Sequence, residues 1–174
     1  MDNTSFPNRK HIRLKDYDYS SPGAYFITIC TKDKKSILGK IVVGDELNKS
    51  QIQLFPIGII ANREILKIES HYDNVKVDKF VIMPNHIHLI IVISERINPF
   101  PTSNKYDIPN VIGKFKAAVT RNVGKAFMPS ANSDLWQTSF HDHIIRDKND
   151  YRKIWEYIDG NPSRWAEDKL FVEE

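Results

Sequence analysis

The stretch that most constrains the fold is residues 80–93, "FVIMPNHIHLIIVI", in which a proline–asparagine pair separates two apolar runs. β-Branched and aromatic residues dominate both runs, and this composition is typical of β-strands. Pro84 and Asn85 favour a tight turn. The sequence therefore predicts a hairpin of two antiparallel strands that are neighbours in one sheet.

The second strand of this hairpin carries two histidines, His86 and His88, two positions apart. Because side chains alternate between the faces of a sheet, both imidazoles lie on one face, and Ile87, Leu89 and Ile91 face a core on the other. Two neutral imidazoles on one face can bind a single metal ion. Two separately hydrogen-bonded histidines explain the spacing equally well, so a metal site needs further ligands from elsewhere in the chain.

The remaining hydrophobic patterns predict an α+β fold. Strands are expected in 25–31, 75–83, 86–93 and 135–147, a hairpin-like excursion in 36–56, and helices in 57–72, 111–127 and 149–162. Without the excursion the order is β-α-β-β-α-β, the ferredoxin-like split arrangement of an antiparallel sheet with helices packed on it, followed by a terminal helix. No repeat or linker divides the 174 residues, so we expect a single domain, with residues 1–22 as a basic N-terminal arm.

Composition narrows the classes of protein that fit. No apolar run reaches membrane-spanning length, which predicts a cytoplasmic protein without a membrane partner. Cys30 is the single cysteine, which excludes an intrachain disulfide and a multi-cysteine zinc site, and its apolar surroundings predict a core thiol. The net charge is only +3, but basic residues cluster near the start, middle and end of the chain. Such clusters fit a polyanionic partner as well as a solvated surface.

The third helix offers groups that could complete a site. Tyr157 and Asn161 are four residues apart and so share one helical face. The amide oxygen of Asn161 is a candidate third ligand, and a His-His-amide set suits Mg²⁺ or Mn²⁺ better than zinc. A metal ion acting as a Lewis acid on a phosphodiester makes its phosphorus open to attack, and Tyr157 is a candidate nucleophile. Taken alone, the helix is explained as well by a packing tyrosine and a turn asparagine.

Two other features compete with this assignment. Tyr151 lies six residues before Tyr157, about 240° around the helix, so the two phenols cannot share a face and Tyr151 is interpreted as a packing residue. His141 and His143 repeat the two-residue spacing in "FHDH". There we favour hydrogen bonding or phosphate contact over metal binding, with Asp142 able to orient a histidine.

Four segments of the chain together resemble the REP-associated and related single-tyrosine transposases of the HUH (His-hydrophobe-His) endonuclease superfamily. In chain order they are "IRLKDYDYSSPGAYFITICT", "VDKFVIMPNHIHLIIVI", "VIGKFKAAVTRNVGKAF" and "LWQTSFHDHIIRDKNDYRKIWEYIDGNP". They span most of residues 12–162. The combination of "MPNHIHL" with the late "DY" and "NP" pattern is the most specific part of the resemblance.

This resemblance implies a ferredoxin-like fold with the histidine pair on a central strand. It implies a divalent ion, Mg²⁺ or Mn²⁺, held by His86, His88 and Asn161, with Tyr157 as the nucleophile. It also implies that the protein cleaves and rejoins single-stranded DNA near a hairpin, through a 5′-phosphotyrosine intermediate and a free 3′-hydroxyl, without a nucleotide cofactor.

Contact with DNA, and an association with the nucleoid, are expected through basic side chains. The candidates are Arg9, Lys10, Arg13, Lys114, Lys116, Arg121 and Arg146. Two alternatives stay open, namely a domesticated DNA-hairpin-binding protein that does not cleave, and a nickase of the replication-initiator or relaxase type. A homodimer, in which the tyrosine helix serves the neighbouring subunit, also stays open.

Overall fold

The predicted hairpin forms one side of a four-stranded sheet in the structure, a computed structural model that describes residues 17–43, 50–95, 106–127 and 134–173. The strands are β1 (Gly23–Cys30), β2 (Gly39–Val43), β3 (Ser50–Leu54), β4 (Val75–Ile82), β5 (His86–Ile93) and β6 (His141–Ile145). The helices are α1 (Pro56–Leu66), α2 (Ile68–His71), α3 (Ile108–Phe127) and α4 (Lys148–Gly160), with short 3-10 helices at Lys32–Lys34 and Pro162–Glu167.

The main sheet has the order β4-β5-β1-β6, and all its neighbouring strands are antiparallel. β4 and β5 are joined by the Pro84–Asn85 turn, which the Met83 N–H closes by donating to the carbonyl of His86 at 2.8 Å. β2 and β3 form a separate hairpin. The predicted α+β class and ferredoxin-like strand arrangement are therefore confirmed, and β5 is a central strand with partners on both sides.

One face of the sheet packs against α1 and α3 and forms the large core. The apolar residues Ile112, Phe115, Val119 and Val123 recur at the spacing that predicts an amphipathic helix, and in α3 they are all buried on this face. Gly58 allows α1 to come close to the chain before β2, since a Cβ at this position would lie 2.0 Å from the carbonyl oxygen of Leu38. This face thus contains most of the apolar surface that folding buries.

The opposite face of the sheet is covered by α4 over a much smaller apolar cluster. Its buried members are Ile90, Ile145 and Ile158. α4 begins after Asp147, whose carboxylate accepts hydrogen bonds from the backbone N–H groups of Asn149 and Asp150, as a good N-cap residue does. A capped helix on a small apolar patch leaves room beside it for polar groups.

Two predicted elements differ from the structure. The helix expected in 57–72 is divided at Lys67, and Leu66, one of the apolar residues whose spacing predicts that helix, is 64% exposed. The buried stripe is instead formed by Ala61, Ile65 and Ile68, whose spacing of four and three residues keeps them on one side. Leu66 lies at the end of α1 and points away from that side.

The single strand expected in 135–147 is confirmed only over its second half. Trp136 forms only an isolated bridge with Thr31, and β6 begins at His141. After this bridge, where the Gln137 N–H donates to the carbonyl of Cys30 at 3.0 Å, the Lys116 ammonium of α3 takes the carbonyls of Gln137 and Ser139, at 2.8 and 2.7 Å, so the strand pairing is interrupted there.

The end of the predicted N-terminal arm packs against the fold. Tyr19 is buried in the large core, and the Tyr17 hydroxyl lies 3.2 Å from that of Tyr25. Residues 17–22 therefore contact the domain, while residues 1–16 lie outside the described part of the chain. Within the described residues, every helix is too short or too polar to cross a bilayer.

Candidate metal centre and nucleophile

The two histidines of β5 point to the α4 face of the sheet and are both buried. Their Nε2 atoms lie 3.0 Å apart. Ile87, Leu89 and Ile91 belong to the large core on the other face, as the two-residue period predicts. The strand therefore presents two ring nitrogens at one point, close enough for both to bind one ion.

The other ring nitrogen of His86 is held by the turn that precedes it. The Asn85 amide nitrogen donates to the carbonyls of Lys34 and Leu170, at 3.2 and 2.8 Å, which fixes the orientation of the amide. Its oxygen therefore faces His86 Nδ1 at 2.8 Å and can only accept. Nδ1 of His86 then carries the hydrogen, and Nε2 offers its lone pair to the site.

His88 has a comparable partner on the neighbouring strand. Thr28 lies directly opposite His88 in the β1–β5 register, and its hydroxyl is 2.9 Å from Nδ1. A hydroxyl can donate or accept, so it suits either tautomer of this ring. Metal-binding histidines commonly have such a partner on the nitrogen that does not bind the ion.

Burial favours the neutral form of both rings. It lowers the pKa of His86 to about 4, and it also lowers the pKa of His88, where the charge of His86 adds to the effect of burial. A neutral imidazole is the form that binds a metal ion.

α4 brings the phenol of Tyr157 to this pair. The hydroxyl oxygen lies 3.3 Å from His88 Nε2 and donates to Asp168 Oδ2 at 3.1 Å. The ring packs edge-on against Phe26, and 38% of the residue is exposed, so it is not an ordinary core tyrosine. Burial, followed by the negative charge and hydrogen bond of Asp168, raises the pKa of Tyr157 to about 12, so the phenol is protonated at neutral pH.

Asn161 directly follows α4 and keeps a helical backbone, with φ −59° and ψ −45°, even though Gly160 precedes it. Only 2% of the residue is exposed. Its amide nitrogen donates to Asp168 Oδ2 at 3.2 Å, while its oxygen is buried and has no hydrogen-bond partner among the described residues. A buried polar oxygen without a partner is costly, and a cation bound there would satisfy it.

Asp168 is the residue of this cluster that the sequence did not reveal. A carboxylate oxygen of Asp168 and one ring nitrogen each of His86 and His88 all lie within 4.8 Å of one another. The 3-10 helix Pro162–Glu167 turns the chain back so that Asp168 reaches the end of α4. Nothing in "RWAEDKL" distinguishes Asp168 from its neighbour Glu167, so no signal could have found it.

These residues fit a divalent cation. Two imidazole nitrogens lie together beside the Asp168 carboxylate, whose oxygen also holds the Asn161 amide, and nitrogen and oxygen ligands of this kind suit Mn²⁺ or Mg²⁺. The phenol stands beside the same point. This is the arrangement expected where a metal ion and a nucleophile act on one phosphate group.

The competing residues have other partners. The Tyr151 hydroxyl donates to the carboxylate of Asp78 on β4. His143 is exposed, with its Nε2 2.8 Å from Asp150, and Asp142 accepts a hydrogen bond from the Tyr19 hydroxyl at 2.7 Å. Of the two tyrosines of α4, Tyr157 is the one placed at the histidine pair.

The basic residues expected to contact DNA are spread widely. Arg9, Lys10 and Arg13 lie outside the described residues. Lys114, Lys116 and Arg121 belong to α3, which packs on the sheet face opposite the histidines. Arg146 is exposed just after β6, where its backbone N–H donates to Asp150 at 3.4 Å.

The three α3 residues have different surroundings. The Lys116 ammonium is already bonded to two backbone carbonyls. Lys114 and Arg121 line a cavity of about 420 Å³, where the Lys114 ammonium lies 5.6 and 5.8 Å from the ring centres of Tyr72 and Tyr106. Lys114 is therefore better placed than Lys116 for a further partner.

The sequence model of the IS200-like transposases matches residues 20–161, which is most of the chain and includes both histidines, Tyr157 and Asn161. The chain belongs to the IS200-like transposase family. The resemblance to REP-associated tyrosine transposases is thereby confirmed at the level of the family. Asp168 lies beyond the matched region.

Two similar proteins come from Haemophilus influenzae (strain ATCC 51907 / DSM 11121 / KW20 / Rd). One, named only as an uncharacterized protein, is 36% identical over 184 residues, covering 98% of this chain and 97% of its own. The other, provisionally named a REP-associated tyrosine transposase, is 24% identical over 151 residues, covering 83% of this chain and 73% of its own.

A solved structure is also similar, that of a REP-associated tyrosine transposase bound to a REP hairpin. The TM-score is 0.60 at 20% identity, over 90% of this chain and 76% of that one. At this level of identity the likeness shows that the two proteins share a fold. Family membership, together with this fold, supports a transposase-like protein that processes DNA.

Proposed function

We propose that this protein is a metal-dependent endonuclease and strand transferase that acts on single-stranded DNA at hairpins, through a 5′-phosphotyrosine intermediate. The observation that carries the proposal is the position of the Tyr157 hydroxyl, 3.3 Å from His88 Nε2 at a buried histidine pair. A hairpin partner is supported by the solved relative, which was captured with a REP hairpin.

In this proposal His86, His88 and Asn161 hold Mg²⁺ or Mn²⁺, which when bound supplies Lewis-acid activation of the scissile phosphate. The Tyr157 oxygen attacks the phosphorus, forming a Tyr–O–P bond as the P–O3′ bond breaks. The phenol's proton passes to solvent water, and the released 3′-oxygen takes up a proton from water. Attack by a 3′-hydroxyl on the phosphotyrosine reverses these bonds and joins strands.

The test is covalent capture of the tyrosine on DNA. A labelled single strand that contains a hairpin is incubated with the protein and Mn²⁺, and SDS gel electrophoresis separates adducts that survive denaturation. We expect an adduct with the wild-type protein and none with Tyr157→Phe.

Tyr151→Phe is the matched control, since it removes the same hydroxyl from the same helix at a position bonded to Asp78. It should keep the adduct. An adduct that survives Tyr157→Phe, or that Tyr151→Phe removes without unfolding the protein, would contradict the assignment. Tight hairpin binding without any adduct would identify a non-cleaving hairpin-binding protein, and equal cleavage of a strand without a hairpin would point to a relaxase-type nickase.

A further inference from the structure

Asp168 contacts two functional groups through a single oxygen. Its Oδ2 accepts hydrogen bonds from the Tyr157 hydroxyl at 3.1 Å and from the Asn161 amide nitrogen at 3.2 Å. Its Oδ1 accepts from the backbone N–H of Leu170 at 2.6 Å, which limits rotation of the carboxylate. The candidate nucleophile and the candidate third ligand therefore share one fixed acceptor.

This acceptor determines which end of the Asn161 amide is available to an ion. An asparagine side chain has one end that donates and one that accepts, and a rotation of half a turn exchanges them. A carboxylate can only accept, so Asp168 selects the NH₂ end of Asn161. The Asn161 amide oxygen is therefore the end that does not contact Asp168. It is buried and has no hydrogen-bond partner among the described residues, so its lone pairs are available to a metal ion.

We propose that Asp168 is a positioning residue of this site: it holds the Asn161 oxygen toward the metal ion and fixes the Tyr157 hydroxyl beside it. The inference rests on the proposed function and deepens it, because it adds a group from outside the family-matched region, which ends at Asn161. Both carboxylate oxygens already accept hydrogen bonds from the protein, so Asp168 orients the ligand set.

Asp168→Asn tests the proposal with little change in shape. The new amide can donate as well as accept, so it no longer selects one end of Asn161. Outer-shell partners of metal ligands typically contribute about 10- to 100-fold to metal affinity or activity. We therefore expect Mn²⁺ affinity, measured by calorimetry without DNA, to fall about 10-fold or more, and the single-turnover rate of adduct formation to fall at least as much.

Glu167→Gln is the matched control. It removes the same charge from an exposed neighbouring side chain, and it should leave both quantities unchanged. Thermal melting of each variant separates a local effect from loss of the fold.

A double variant, Asn161→Asp with Asp168→Asn, provides a second route. It exchanges the two side chains, so that the carboxylate at 161 presents one oxygen to the ion while its other oxygen accepts from the amide at 168, the reverse of the wild-type hydrogen bond. We expect Mn²⁺ affinity to return to within a few-fold of wild type. A merely structural role for Asp168 predicts no such recovery, and the double variant decides the question even if Asp168→Asn alone does not fold.

The outcomes separate this inference from the proposed function. Wild-type protein that binds Mn²⁺ but forms no adduct would end the endonuclease proposal, while the Mn²⁺ affinities would still decide the role of Asp168. Unchanged affinity and rate in Asp168→Asn would overturn the inference, as would wild-type protein that binds no Mn²⁺. A gain in either quantity would also overturn it, because Asp168 would then be holding the two groups away from the ion.

Discussion

The two faces of β5 differ in composition and in role, although their residues alternate along one strand. Ile87, Leu89 and Ile91 lie in the large core under α1 and α3. His86 and His88 lie on the other face, each bound through Nδ1 to a polar neighbour, and only a small apolar cluster accompanies them. The strand therefore places most of its contribution to stability on one face and its chemistry on the other.

The difference shows how a polar pair can occupy a central strand. Full burial of each large apolar side chain stabilises the fold by about 1.5 to 3 kcal/mol, so the large core contributes most of the stability that holds β5 in place. The buried imidazoles need only avoid the cost of unmet hydrogen bonds, which Asn85 and Thr28 prevent. Substitutions on the two faces should then separate stability from activity.

The largest effect is expected from His88→Ala. It removes one proposed ligand, and loss of the Lewis acid is worth several kcal/mol, so adduct formation should fall about a thousandfold or more. Hairpin affinity, measured by fluorescence anisotropy, should change little, since phosphate contacts by basic side chains do not need the ion. An equal loss of hairpin binding and of cleavage would mean that His88 has a structural role. It would then contradict the assignment of stability to one face of β5 and chemistry to the other.

The next effect is expected from Leu89→Ala, one position along the strand and on the other face. Leu89 is fully buried, so the truncation should lower the free energy of unfolding by about 3 kcal/mol, measured by urea denaturation. The adduct rate per folded molecule should remain within a few-fold of wild type. A large loss of that rate in protein shown to be folded would mean that the two faces are coupled.

The smallest effect concerns Lys114, a basic side chain on the helix that covers the folding face. We propose that it contacts DNA, so Lys114→Gln should lower the slope of log affinity against log salt by about one. Arg121 lines the same cavity, and Arg121→Gln offers a parallel measurement there. An unchanged slope in both variants would mean that these α3 residues do not contact DNA. The two faces of the sheet would then differ in DNA binding as well as in chemistry.

Much of this arrangement could be predicted from local patterns. Periods of two and 3.6 residues indicated the hairpin, the shared face of His86 and His88, and the buried stripe of α3. The spacing of four residues placed Tyr157 and Asn161 together at the end of α4. Each of these relations is contained within one element or one turn, where backbone geometry alone determines which side chains meet.

Relations between distant segments could not be predicted in this way. The stretch after Leu135 has the composition of a strand, but Lys116 of α3 takes its carbonyls. Asp168 reaches the site only because the chain reverses after Pro162. Both outcomes depend on which polar groups meet after the elements pack, and hydrophobic periodicity carries no information about that.

The turn residue Asn85 links three stretches of chain that are far apart in sequence. Its amide connects His86 to the carbonyls of Lys34 and Leu170, and its own carbonyl accepts from Thr31. A protein shortened to the family-matched region would keep both imidazoles, the phenol and Asn161. It would nevertheless lose the residue-170 carbonyl, the nearer of the two that stop the Asn85 amide from turning over, so the minimal active unit should extend at least to residue 170.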